Sequence, residues 1–234
     1  MAKEADSSKE TEYEEYTGHR ERLKVKFLKC SEALADYELL ELLLTYSIPR
    51  RDVKPYAKNL LKRFGSLEHV LNSNYDELTE LKGIGVNTGV LLSLVKELFS
   101  RCLYEQLQER DILNSPDAVI DFVRSKVGFS LNEIFMILYL NSRNHIVGYE
   151  IVSEGTTDSV VVYPRVVVKQ VLKYNATGII AVHNHPSGEC EPSANDLNIT
   201  RILKEALFPL DVRFMDHIII SGGDSFSFQT EGLL

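Results

Sequence analysis

The chain has 234 residues, 44% of them apolar, and a formal net charge of −8, which suffices for two cored domains and excludes a small stapled protein. Its three cysteines, Cys30, Cys102 and Cys190, are odd in number and far apart, which argues against a disulfide framework and for a reducing compartment. The opening MAKEADSSKETEYEEY lacks the apolar core of a signal peptide, and no apolar run reaches the roughly 18 residues of a membrane span, so a cytoplasmic protein without membrane contact is expected.

Residues 1–17 are rich in charge and poor in large apolar side chains, and are expected to form a disordered acidic tail. Beyond them the charge is uneven: residues 20–29 hold five Lys/Arg against one Glu, and residues 49–63 hold six against one Asp. Such patches permit nucleic-acid contact, although a solvated helix face looks the same. DYELLELLLTYS (36–47) spaces Tyr37, Leu40, Leu43 and Leu44 by three and four residues. VKPYAKNLLKRFG (53–65) repeats that period up to Gly65, which suits a left-handed cap. SLEHVLN and YDELTELKGIGVNTGVLLSLVKELFSRCLYEQL carry the helical period to about residue 107, so the first domain, 18–110, reads as all-helical.

The pattern changes near NSPDAVIDFVRSKV (114–127), where Ser115 before Pro116 signals a helix start. IFMILYLN (134–141) and HIVGYEIVS (145–153) read as a β-hairpin joined by a turn. PRVVVKQVLKYN (164–175) follows helical spacing, and GIIAVH (178–183) is a short buried strand. SANDLNITRILKEALFPL (193–210) is a helix, and VRFMDHIIIS (212–221) with FSFQ makes a last hairpin. The second domain, 112–234, is therefore expected to be an α/β (α+β) unit with helices packed on one sheet.

LTELKGIGVNTGVLL fits two helices around a tight Gly83-Ile84-Gly85 turn, with Leu78 and Leu81 on the first helix and Gly89 and Leu92 facing back from the second. It resembles a helix-hairpin-helix, in which glycine amides and the second helix's N-terminus meet a DNA phosphate regardless of sequence. Thr88 stands where that motif often has Lys or Arg, and Gly89 where Ala is usual. Losing the cation removes part of the attraction behind non-specific binding, and a purely structural hairpin uses the same turn.

The densest chemistry lies in AVHNHPSGECEPSAND (181–196). Residues i and i+2 of a strand point to one side, so His183 and His185 can aim at one point beyond the strand. Catalytic zinc takes three protein ligands and keeps one position open, and Asp196 in the first turn of the following helix is the candidate third. The simpler readings stand beside this one. Ser193 and Asp196 also form a helix-capping pair, and strand-end histidines can bond backbone. Cys190 is either a further thiolate ligand or a small loop residue, and His217 in MDHIII reads as a strand histidine with its hydrogen bonds satisfied.

His-x-His, seven residues, Ser, two residues, Asp resembles the zinc motif of the JAB/MPN (JAMM) metalloproteases. The surrounding VYPRVVVKQVL, HNHPSGECEPSANDLNITRIL and DHIIISGGDSFSFQTEGLL resemble the RadC family (UPF0758) more closely still. DYELLELLLTYSIPRRDVKPYAKNLLKRFGSL and the hairpin resemble that family's first domain, so the resemblance covers roughly residues 20–234. It implies a JAB/MPN-type mixed β-sheet flanked by helices, with His183, His185 and Asp196 holding Zn2+ and Ser193 donating to an oxyanion. It also implies a glutamate base on the domain's first strand. Glu133, 50 residues before His183, occupies that place, with Glu150 and Glu154 as alternatives. The implied activity is cleavage of a peptide, isopeptide or related amide bond of a peptide or protein substrate by metal-activated water. The alternative is a DNA repair or recombination protein that contacts DNA through residues 18–110 and whose C-terminal domain is regulatory or inactive. The letters HNH also spell a nuclease motif, but that motif spreads its residues along a ββα element.

Overall fold

The computed structural model describes residues 18–155 and 161–234, so the acidic tail expected at 1–17 lies outside the described residues. Two units emerge, Met1–Glu97 and Leu98–Leu234. In the first, residues 18–29 form α1, followed by α2 (Asp36–Leu44), α3 (Lys54–Phe64), α4 (Leu67–Asn72), α5 (Tyr75–Thr79) and the start of α6 (Val86–Gln108). The three- and four-residue spacing of apolar side chains is spent on one core: Leu40, Leu44, Leu60, Val70, Leu78 and Leu92 are all buried in it. Helix ends follow local chemistry. Gly65 closes α3 at φ +90°, and the Ser66 and Asn74 side chains accept the first-turn amides of His69 and Glu77.

The Gly-Ile-Gly turn forms between α5 and α6. Gly83 has φ +96°, and a side chain there would run into the Tyr56 ring. Ile84 is buried beneath the turn. Gly89 has a different reason: a Cβ on it would lie 2.9 Å from Thr79 Cγ2 and from the Tyr75 ring, so α5 and α6 approach as closely as they do because no side chain intervenes. Thr88 is buried and hydrogen-bonded through its hydroxyl to that of Ser47 at 3.1 Å.

The second unit takes over inside α6. The physical reason is that Leu107 is buried, and Leu103 and Tyr104 packed, against the core of the second unit. α7 (Pro116–Val127) begins at its proline as expected, although Ser115 makes no side-chain cap bond. β1 (Ile134–Leu140) and β2 (Ile146–Glu154) form the hairpin, then come α8 (Pro164–Tyr174), β3 (Gly178–Asn184), α9 (Ala194–Leu207), β4 (Arg213–Ser221) and β5 (Asp224–Ser227). The sheet order is β2-β1-β3-β4-β5, with β3 and β4 parallel and the other neighbours antiparallel. The unit is thus a mixed sheet with helices, in agreement with the expected α/β class.

Alternation along the strands divides the core in two. Met136, Leu138, Ile180, Val182, Ile218 and Ile220 face α7, while Phe135, Ile137, Tyr139, Ile179 and Ala181 face α8 and α9. A strand covered on both faces needs apolar residues on both, which is why β3 reads GIIAV without a polar break. Joining parallel β3 to β4 requires a crossover helix, and α9 supplies it. That connection returns the N-terminus of α9 to the C-terminal end of β3, the place where open α/β sheets bind ligands.

Candidate metal centre

β3 carries His183 on the α9 face, fully buried, with its ring parallel to that of Phe135 at 5.8 Å. His185 stands one residue beyond the strand and is still held in line. Its N–H donates to the Ile220 carbonyl at 2.8 Å, and its carbonyl accepts from the Ser221 hydroxyl at 2.9 Å. The loop after it turns at Gly188, φ +98°, and brings the Glu189 carbonyl to 2.7 Å from His185 Nδ1. A carbonyl only accepts, so Nδ1 of His185 carries a hydrogen and Nε2 of the neutral ring is bare.

Ser193 then caps α9. Its Oγ accepts from the Asp196 N–H at 3.2 Å, and the Asp196 Oδ2 accepts from the Ser193 N–H at 2.7 Å. The same cap fixes the carboxylate against the histidines, with Oδ1 3.2 Å from His183 Nε2 and Oδ2 3.5 Å from His185 Nε2. Capping pair and candidate ligand are therefore one arrangement. Ser193 receives a hydrogen bond in the cap, and its hydroxyl also interacts with the Asp196 carboxylate, helping to hold that carboxyl low.

Glu133 completes the group: one potential ligand atom from each of Glu133, His183, His185 and Asp196 lies within 4.8 Å of the others. Glu133 directly precedes β1, and the residue that anchors this approach is Asn184, between the two histidines. Alternation turns its side chain to the opposite face, where Oδ1 accepts from the Ile134 N–H at 2.8 Å. Its Nδ2 donates to the carbonyls of Ser130 and Asn132 at 3.2 and 3.1 Å. The Gly155 N–H also donates to the Glu133 carbonyl at 2.9 Å. The two alternative acids are engaged elsewhere. Glu150 accepts from Lys173 and Tyr174, and Glu154 from Asn132.

Electrostatics at this point are those of converging acceptors. His183 Nε2 and His185 Nε2 are 2.8 Å apart with the buried Asp196 carboxylate beside both. Such a set requires a cation, a proton or a metal. The hydrogen bond to Asp196 raises the pKa of His185 above its ordinary value. Burial opposes ionisation of Asp196, but the two histidines outweigh it and hold the carboxyl well below the usual range. Two imidazoles and carboxylates in one buried cluster are the donor set that zinc favours. Cys190 is not part of it: its thiol contacts the Ser221 carbonyl, and burial pushes its pKa up, away from the thiolate form a metal needs.

Two residues support His183 from behind: His217, a strand histidine with both ring nitrogens engaged as expected, and Thr200, which the sequence did not single out. His217 on β4 is fully buried, with Nε2 2.8 Å from His183 Nδ1. Its Nδ1 lies 2.6 Å from the Thr200 hydroxyl on α9. Burial, and then the neighbouring His183, holds His217 well below the usual histidine range.

Comparison with known proteins places this geometry. Residues 113–233 match the RadC-like JAB domain, and residues 13–90 match the UPF0758 N-terminal domain. The chain belongs to the RadC-like JAB family. A UPF0758 protein of Fusobacterium nucleatum subsp. nucleatum is 39% identical over 225 residues, covering 93% of this chain and 97% of the relative. All four residues of the cluster lie inside the RadC-like JAB match, and the cluster is compatible with a metallohydrolase. No described helix is long and apolar enough to cross a membrane.

Proposed function

We propose that this RadC-like protein is a zinc-dependent hydrolase of the JAMM type that cleaves a peptide, isopeptide or related amide bond in a peptide or protein substrate. The observation that carries the reading is the convergence of His183, His185 and Asp196 with a fourth acid, Glu133, at one buried point. His183, His185 and Asp196 would hold the zinc, which when bound supplies Lewis acidity and a water of lowered pKa. Glu133 accepts the proton of the attacking water and returns it to the leaving nitrogen. Ser193 is suited to donate its hydroxyl hydrogen to the oxygen that becomes negative as the carbonyl turns tetrahedral. Asn184 keeps Glu133 in reach through the three bonds it makes to residues 130–134. Cysteines unpaired throughout the described residues suit a cytoplasmic setting.

The test is Glu133→Gln. The variant should retain zinc to the wild-type level and lose about 10²- to 10⁴-fold in hydrolysis of a library of peptide and isopeptide substrates, the usual contribution of a general base. Wild-type turnover on none of these bonds, with zinc bound, would turn the reading away from amide hydrolysis.

A second reading concerns the first unit and is compatible with the first. A cleft of about 390 Å³ opens beside the Gly-Ile-Gly turn, lined by Gly83, Gly85, Val86 and Arg51. Thr88, which replaces the usual cation, points its hydroxyl at Ser47, so the attraction would rest on neighbouring Arg50 and Arg51. Sequence-independent DNA contact through residues 18–110 would then weaken steeply with salt and fall further on charge reversal of both arginines, as read by fluorescence anisotropy. No binding at low salt would remove it.

A further inference from the structure

His217 and Thr200 have no part in the chemistry proposed above, yet both are buried against the centre. We infer that His217 and Thr200 are positioning residues that hold the proton of His183 on Nδ1 and so leave its Nε2 bare for a metal. The inference rests on the reading of the cluster as a zinc centre.

Counting hydrogens fixes the sense of each bond. Thr200 has one hydroxyl hydrogen and sits 2.6 Å from two atoms, the Asp196 carbonyl oxygen and His217 Nδ1. The carbonyl cannot donate, and two oxygens at that distance need a hydrogen between them, so the Thr200 hydrogen goes to Asp196. The Thr200 oxygen is then the acceptor of the second contact, and His217 carries its hydrogen on Nδ1. The His217 ring lies between those of Phe135 and Phe228, and its two nitrogens meet His183 and Thr200 rather than a carboxylate; the nearby Asp216 carboxylate accepts from the His217 backbone N–H instead. A buried imidazole in that setting is neutral, which makes its Nε2 an acceptor. His183 Nδ1, 2.8 Å away, must therefore donate.

With Nδ1 engaged in that bond, His183 turns its Nε2 toward the cluster, 2.8 Å from His185 Nε2 and 3.2 Å from Asp196 Oδ1. His185 reaches the same state by another route, through the Glu189 carbonyl. The opposite sense of the relay leaves the 2.6 Å contact to the Asp196 carbonyl without a hydrogen. It also places a proton on His183 Nε2, where a metal would have to displace it. Because Thr200 lies one helical turn after Asp196, the residue that offers a carboxylate through its side chain also sets, through its carbonyl, the tautomer of the first histidine. Outer-shell partners of this kind are worth about 10- to 100-fold in metal affinity when removed.

Thr200→Val keeps the β-branched shape and removes the acceptor for His217 Nδ1–H. The His217 hydrogen should move to Nε2 and turn the bond to His183 around. Two readouts on the full chain follow. In metal-free protein, ¹⁵N-edited NMR of the imidazoles should show the His183 Nδ1 protonated in the wild type and bare in Thr200→Val. Zinc affinity by chelator competition should fall about 10- to 100-fold, and Thr200→Ser, which restores the hydroxyl, should return within a few-fold of wild type. His217→Gln, whose carbonyl can accept from His183 Nδ1–H without a tautomer of its own, should keep Nδ1 protonated and guards against misreading a folding defect. Unchanged Nδ1 protonation and zinc affinity in Thr200→Val overturn the relay while leaving the zinc reading intact. A wild type that binds no zinc, but whose His183 proton moves in Thr200→Val, supports the relay and instead defeats the zinc reading.

Discussion

The Gly-Ile-Gly turn and the histidine loop are both short irregular stretches that open onto a helix, yet their polar groups end differently. Around the turn, packing accounts for Gly83, Ile84, Thr88 and Gly89, whereas a side chain at Gly85 would meet nothing within 4 Å. Ile84 is buried beneath it, Thr88 bonds Ser47, and Gly89 admits Thr79 and Tyr75. In the histidine loop, the cap and backbone bonds are also complete, but they leave two ring nitrogens and a carboxylate facing one another. Packing never requires acceptors to converge, and burying them together is unfavourable without a cation. The difference teaches that a motif's ligand is read from the atoms that local structure leaves over, not from the motif's shape.

That contrast can be tested at the anchor of each stretch. The larger effect is expected at Asn184. Asn184→Ala leaves the buried Ile134 N–H without its acceptor and the Ser130 and Asn132 carbonyls without their donor. A stability loss of about 1–3 kcal/mol in urea denaturation should follow. Displacing Glu133 should lower turnover about 100-fold, with zinc content unchanged, since His183, His185 and Asp196 do not depend on those bonds. Zinc loss in this variant would mean that Asn184 holds the ligands rather than the base.

The smaller effect is expected at Gly89. Alanine there gains about 1 kcal/mol of helix propensity but meets Thr79 and Tyr75 at 2.9 Å, an overpacking that costs about 1–3 kcal/mol. Tyr75 is partly exposed and can swing aside, whereas the Thr79 methyl is close to its backbone, so a net destabilisation of about 1 kcal/mol is expected. Zinc content should not move. A stabilised Gly89→Ala would show that the hairpin has slack, and that its glycine serves something other than packing.

Much of the second unit was legible because its signals are local. The all-apolar GIIAV run marks a strand covered on both faces, Pro116 and Pro164 mark helix starts, and Ser193 with Asp196 marks the next. Alternation alone puts His183 and His185 on one side. What escaped are pairings set by register. Asn184 reaches residue 134 because β3 lies beside β1, and His217 reaches His183 because β4 lies beside β3. Nothing in HNH or MDHIII announces those neighbours, although a polar residue breaking an apolar strand is the one signal that could have prompted the search. The change of unit inside α6 is set by packing in the same way. α6 keeps its helical period past Glu97, and only the packing of Leu103, Tyr104 and Leu107 shows which core its last turns join.

The central claim is that the four converging groups form a metal centre, and metal analysis tests it most directly. The full chain, purified without chelators and measured by inductively coupled plasma mass spectrometry, should carry about one zinc ion per molecule. His183→Ala and Asp196→Ala, each folded by circular dichroism, should carry none. A wild type that remains zinc-free after incubation with the metal, or variants that retain as much as the wild type, would contradict it.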